Sequence, residues 1–164
     1  MTPHAPPCHS SQIVDRKNEN GTARRLAPYA SMTEGDIQRT VLVVEDEVFI
    51  RMSAVASLED AGLSVLEAVN SAEALVLLER HFEICVMVTD VRLPGIMDGL
   101  ALVSRACRDH PLIRAVVVSG NATAAQAYNA GAAMFIAKPY PTLKLVEAVL
   151  GLVPHNRAPL GFAA

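Results

Sequence analysis

Glu45, Asp46, Asp90 and Lys138 are the residues in this sequence whose types and settings invite chemistry. Each stands at the end of a short apolar run: Val41 to Val44 before Glu45-Asp46-Glu47, Ile84 to Thr89 before Asp90, Ala133 to Ile136 just before Lys138. A fourth run, Ala115 to Val118, ends in Ser119-Gly120-Asn121. Adjacent carboxylates repel one another and resist desolvation, so an acidic knot beside a buried segment needs a compensating partner. Carboxylates gathered in one place call for a cation. An all-oxygen set with few protein donors suits Mg²⁺, which prefers octahedral geometry and keeps several waters. The remaining capacity of that ion, with the Lys138 ammonium, points to a phosphoryl group whose oxygens they share. Asp90 is then the nucleophile that accepts it as an aspartyl phosphate. Ser119 is placed to donate a hydrogen bond to a phosphoryl oxygen.

These residues lie far apart in the chain, so the elements between them must bring them together. Residues 41–44, 64–69, 84–89, 115–118 and 133–136 read as strands, short and apolar enough to be covered on both faces. Helical spacing occupies the intervals. The first helix runs over 48–61, with Phe49, Met52, Val55, Ala56 and Leu58 as its apolar face and Gly62 closing it. Ser71 fits the N-cap of the second, whose apolar positions are Ala72, Leu75, Val76 and Leu78. After a Pro94-Gly95 loop, a third helix covers 98–108 and stops at His110-Pro111. A short Ala-rich helix spans about 123–130, and the last runs from Thr142 to Leu152. Parallel strands need crossover helices, so five strands alternating with five helices make an α/β fold with a parallel sheet. In such a sheet the carboxyl ends of all strands lie at one edge, where ligands bind. Glu45, Asp46, Asp90, Ser119 and Lys138 are expected in one pocket there.

Each residue also has a plain structural explanation. An acidic pair after a strand fits a solvated turn, and Glu47 fits a helix start favoured by the helix dipole. Asp90 fits a helix cap, Ser-Gly-Asn an ordinary turn, and Lys138 before Pro139 a loop lysine. The joint placement on four strand ends is what favours a site.

Composition narrows the rest. A chain of 164 residues fits one domain with tails, and just over half of its residues are apolar. The formal net charge is −3, there is no basic stripe and no Trp, so nucleic-acid binding is not expected. Cys8, Cys85 and Cys107 form no Cys-x-x-Cys pair and read as free thiols of a cytoplasmic protein. No apolar run approaches the roughly 18 residues of a membrane span, and no signal-peptide pattern is present. Neither a phosphate-loop nor a dinucleotide fingerprint follows the first strand. Residues 1–38, rich in Pro, Ser and Asn and without apolar periodicity, are expected to be a largely disordered extension, and 154–164 a loose tail. His4, Cys8 and His9 lack a fourth partner at a fixed spacing and are not expected to hold a metal.

The segments VLVVEDE, VTDVRLPGIMDG, VVVSGN and FIAKPY resemble the signature of response-regulator receiver domains, over roughly residues 39–153. The resemblance implies a flavodoxin-like, doubly wound five-stranded parallel sheet of order 2-1-3-4-5 with five helices. It implies phosphorylation on Asp90. It implies Mg²⁺ held by Asp46 directly, by Glu45 often through water, by Asp90, and by the backbone carbonyl of Arg92. Ser119 matches the switch hydroxyl, Phe135 the switch aromatic and Lys138 the phosphate-pairing lysine, with a cis Lys138-Pro139 bond. As a strand aromatic, Phe135 also fits plain core, but its spacing of three before Lys138 favours the switch role. The implied partners are a histidine kinase or histidine phosphotransfer protein, and a downstream protein that reads the face of helix four, strand five and helix five. With no second domain evident, a stand-alone receiver is expected. It should phosphorylate and dephosphorylate itself without turning over a separate substrate.

Two features depart from the family pattern. The loop from Pro94 to Gly99 carries one residue more than usual. Arg92 and Asn121 place a cation and an amide beside the phosphorylation site, where they are expected to tune how readily water attacks the acyl phosphate. The rival readings are a receiver-like binding module that works without phosphate, and a Mg²⁺-dependent phosphatase. The latter normally wants an acid/base carboxylate two residues past the nucleophile, where this chain has Arg92.

Overall fold

The computed structural model describes residues 39–154. The expectations for residues 1–38 and for the tail beyond 154, including His4, Cys8 and His9, lie outside the described residues. Five strands, β1 (Thr40–Val44), β2 (Ser64–Ala68), β3 (Ile84–Asp90), β4 (Arg114–Ser119) and β5 (Met134–Ala137), form one parallel sheet of order β2-β1-β3-β4-β5. Between and after them come α1 (Val48–Asp60), α2 (Ser71–Arg80), α3 (Gly99–Asp109), α4 (Ala124–Asn129) and α5 (Thr142–Leu152). The expected fold and strand order are those observed.

Alternation along the strands divides the core into two layers. Val41, Val43, Val86, Val88, Val116, Val118 and Ile136 pack with α1 and α5 through Ala54, Leu58, Leu145 and Val149. Leu42, Val44, Met87, Ala115 and Val117 pack with α2, α3 and α4 through Leu78, Leu102, Val103 and Ala127. Strands covered on both faces explain the unbroken apolar runs. Each fully buried Val or Leu stabilises the fold by about 1.5–3 kcal/mol.

Two local readings need correction. In α1, Phe49 and Met52 do not face the core: they are 83% and 59% exposed, and Ala56 is exposed as well. Ala54 and Leu58 are the buried pair, with Val55 half-buried. Apolar residues occur all round this helix, so periodicity alone could not select the buried stripe; contact with the sheet and α5 did. At α2 the N-cap is Asn70, not Ser71: the Asn70 side chain accepts a hydrogen bond from Glu73 N at 2.9 Å. Ser71 is instead buried and donates to the Met97 carbonyl at 2.7 Å, tying α2 to the loop after β3.

That loop is exposed from Pro94 to Ile96. Gly95 takes φ +108°, a conformation that favours glycine, and Ile96 is fully exposed. Asp98 then caps α3, accepting from Ala101 N at 2.8 Å.

Candidate functional site

β1, β3, β4 and β5 deliver their carboxyl ends to the same edge of the sheet. Glu45 directly follows β1, Asp90 ends β3, Ser119 ends β4, and Lys138 directly follows β5. Lys138 Nζ stands 2.8 Å from Glu45 Oε2 and 2.8 Å from Asp90 Oδ2, bridging the two carboxylates. Its backbone is fixed by Lys138 N donating to the Ser119 carbonyl at 2.9 Å. The next bond, Lys138-Pro139, is cis, as the family resemblance implied.

Asp90 is held from several sides. Its Oδ1 accepts from Val91 N at 2.6 Å and more weakly from Arg92 N at 3.4 Å, while Thr89 Oγ1 donates to its carbonyl at 2.8 Å. Glu45 Oε1 accepts from Glu47 N at 3.2 Å, which leaves Oε2 to the ammonium. Ser119 is buried, and its Oγ accepts from Asn121 N at 3.2 Å and Ala122 N at 3.1 Å. Asp46 is exposed on the same turn as Glu45. Arg92 and Asn121 are exposed beside Asp90 and Ser119 in the chain. Phe135 is half-buried on the α4 side of the sheet, against the layer that includes Val117 and Ala127.

Burial dominates the electrostatics of Glu45 and raises its carboxyl above the ordinary value, although the hydrogen bond and charge of Lys138 pull the other way. For Lys138, burial works against the ammonium. The hydrogen bonds to Asp90 and Glu45 and the charge of both carboxylates outweigh it and hold the group above its usual value. Burial also raises the Tyr140 hydroxyl, on the loop that follows Lys138.

Among the described residues, no three His, Cys, Asp or Glu side chains are already drawn into a metal-ligating group. Two of the three expected carboxylates are joined through an ammonium, and the third, Asp46, stands exposed beside them. The donor set still fits Mg²⁺. Its side-chain donors are all hard carboxylate oxygens, and the space between Glu45 and Asp90 already takes a cationic group.

Two contributors escaped the sequence reading. Gly99, the first residue of α3, lies against the Asp90 backbone: an added Cβ would overlap the Asp90 carbonyl oxygen and come within 2.9 Å of Val91 Cα. Gly99 N also donates to the Val91 carbonyl at 2.8 Å. The signal was the Asp98-Gly99 pair at a helix start, where glycine is otherwise unfavourable. The other is a cavity of about 520 Å³ between the start of α1 and the β5–α5 loop, lined by Phe49, Ile50, Ala54, Lys138, Pro139 and Tyr140.

An open parallel sheet that gathers acidic residues, a hydroxyl and a lysine at its carboxyl edge is a flavodoxin-like α/β domain with its site where such folds place ligands. The family model of the response regulator receiver domain matches residues 41–150, and the chain belongs to that family. The sensor kinase CckA of Brucella abortus is 39% identical over 114 residues, which is 67% of this chain and 12% of CckA. The C4-dicarboxylate transport transcriptional regulatory protein DctD of Rhizobium meliloti is 34% identical over 112 residues, 66% of this chain and 24% of DctD. A CheY-like receiver domain protein from Methanospirillum hungatei aligns with a TM-score of 0.65 at 29% identity, covering 70% of this chain and 92% of that one. A receiver protein from Pseudomonas putida gives 0.64 at 28% identity, covering 70% and 97%. The chain spans from 12% to about a quarter of the length of curated relatives such as CckA and DctD. Receiver domains of two-component systems accept a phosphoryl group, generally with Mg²⁺ at the phosphorylation site, and interact with histidine kinases. Among the described residues no helix is long and apolar enough to cross a membrane.

Proposed function

We propose that Asp90 takes a phosphoryl group from a phosphohistidine donor, in a Mg²⁺-dependent reaction, and that the chain then signals by protein contact. The observation that carries this reading is the Lys138 ammonium held 2.8 Å from both Glu45 and Asp90. It brings the nucleophile, one metal-side carboxylate and the phosphate-pairing cation into a single pocket.

In this reading an Asp90 oxygen attacks phosphorus. The N–P bond of the donor breaks, and its electron pair stays on the imidazole nitrogen. Asp46, Asp90, the Arg92 carbonyl and Glu45 are the groups that would hold Mg²⁺, and the ion would supply charge neutralisation to the phosphoryl oxygens. Lys138 pairs with another of those oxygens. Ser119 Oγ already serves as acceptor to two amides, so its proton is available to the phosphoryl group. Phosphorylation adds about −1.5 to −2 charge, which draws Ser119 inward and lets Phe135 turn into the space it leaves. The face of α4, β5 and α5, where Tyr128 and Leu143 are exposed, carries the change to a protein target. Arg92 and Asn121 flank the acyl phosphate and set its lifetime. No separate substrate is turned over: Arg92 occupies the position of a phosphatase acid/base. The reading concerns the unit from 39 to 154. Curated relatives such as CckA and DctD carry such a unit inside longer chains.

The test is phosphoryl incorporation from a small acyl phosphate and from phosphorylated histidine kinases, with and without Mg²⁺. Expected is label on the wild type only with Mg²⁺, none on Asp90→Asn, and about one phosphoryl group per chain. Equal labelling of Asp90→Asn, or many turnovers per chain, defeats the reading.

A further inference from the structure

Arg51, near the start of α1, reaches back across the acidic turn. Its Nη1 donates to the Glu45 carbonyl at 2.8 Å and lies 3.4 Å from the Asp46 carbonyl. Its Nε donates to Glu67 Oε2 on β2 at 3.1 Å. The Arg51 side chain is only 13% exposed, against 47% for Glu67. On the other side of the turn, Glu45 N donates to the Ala68 carbonyl at 3.1 Å. The Glu45-Asp46 backbone is therefore held between β2 and α1. The planar guanidinium fork joins the turn, the helix and the neighbouring strand.

Electrostatics and geometry make opposite demands on this arginine. A fixed positive charge beside a divalent-cation site repels the cation, so Coulomb's law alone has Mg²⁺ binding more tightly once Arg51 is removed. The contacts, however, go to the backbone of Glu45 and Asp46, the two residues expected to offer carboxylates to Mg²⁺, and Glu67 offsets the charge. We propose that Arg51, seated by Glu67, is a positioning residue: it fixes the Glu45-Asp46 turn so that both carboxylates are presented to Mg²⁺, and so sets metal affinity. This rests on the Mg²⁺-dependent reading above.

Calorimetric titration of the full chain with Mg²⁺, before any phosphorylation, tests it. Arg51→Ala should raise Kd about tenfold, the usual cost of losing a residue that orients a metal ligand. Arg51→Lys keeps the charge and much of the stem but loses the fork. It should also weaken binding, by about threefold, with stoichiometry per chain unchanged. The lysine variant decides the matter if the alanine variant does not fold. Tighter binding by Arg51→Ala, an unchanged Kd for Arg51→Lys, or a fall in stoichiometry at constant Kd overturns the proposal. Wild type that binds no Mg²⁺ overturns the underlying reading and this one together. Wild type that binds Mg²⁺ and labels on Asp90, with Arg51→Lys unaffected, overturns this one alone.

Discussion

The Lys138 ammonium lies 2.8 Å from Asp90 Oδ2 although 48 positions of chain separate the two residues. The contact follows from sheet order: β4 lies between β3 and β5, and Lys138 N is bound to the Ser119 carbonyl at the end of β4. The same ammonium serves Glu45, 93 positions away. Lys138→Met removes the shared cation from two buried carboxylates. It should cost about 2–3 kcal/mol, because buried charges are then left unpaired. Adding Glu45→Gln removes one of those charges and should recover part of the loss. Denaturant unfolding of the two single variants and the double variant measures the coupling; strictly additive costs would mean that the pair does not act as a unit.

The acid-range stability of the protein should carry the mark of Glu45. Burial raises its carboxyl in the folded chain above the ordinary 4.5. The folded state therefore binds this proton more readily than the unfolded state does. The contribution is fully present below 4.5 and fades as pH rises through the raised folded value. The unfolding free energy of wild type minus that of Glu45→Gln should decline from acid toward neutral pH. A flat or rising difference in paired denaturation series would mean that Lys138 outweighs burial. Lys138 itself acts at the other end: its contribution persists below 10.5 and is lost as pH rises through its higher folded value.

Gly99 and Gly120 flank the site and should respond oppositely to alanine. At Gly99 the new Cβ meets the backbone of Asp90 and Val91, which cannot yield without moving the nucleophile. Gly99→Ala should lose about 3 kcal/mol and slow phosphoryl incorporation. At Gly120 the nearest atom is Lys138 Cβ at 3.9 Å, an ordinary contact. Gly120→Ala should stay within about 0.5 kcal/mol of wild type. Thermal melts with labelling kinetics compare the two.

In α1, Phe49 and Leu58 exchange the roles that residue type suggests. Phe49 is 83% exposed and Leu58 fully buried. Leu58→Ala should cost about 2–5 kcal/mol and Phe49→Ala about 0.5 kcal/mol or less. Chemical denaturation settles the order. A large cost at Phe49 would place it in the core after all.

Arg92 and Asn121 should govern how long the acyl phosphate lasts. Both are exposed, so each can be cut back to alanine with little effect on stability. Cutting back either side chain should change the lifetime by a few-fold. Phosphoryl loss followed in time checks this, and unchanged lifetimes discard the tuning role.

Much of this was legible in the linear chain because it rests on local rules. Runs such as Val41 to Val44 and Val116 to Val118 are apolar without alternation because both faces of the sheet are covered. The acidic, hydroxyl and basic residues at the run ends were legible for the same reason: parallel topology sends every strand's carboxyl end to one edge. What the chain could not declare was each choice made by packing between distant segments. Apolar residues surround α1, so only contact with the sheet and α5 selected Ala54 and Leu58 over Phe49 and Met52. Asn70 and Ser71 are both good caps, and the carbonyl of Met97 drew Ser71 away. The need for glycine at 99, the reach of Arg51 to Glu67 and the ammonium between Glu45 and Asp90 exist only once the segments meet. Local preference depends on neighbours in the chain, whereas close contact and charge pairing depend on neighbours in space.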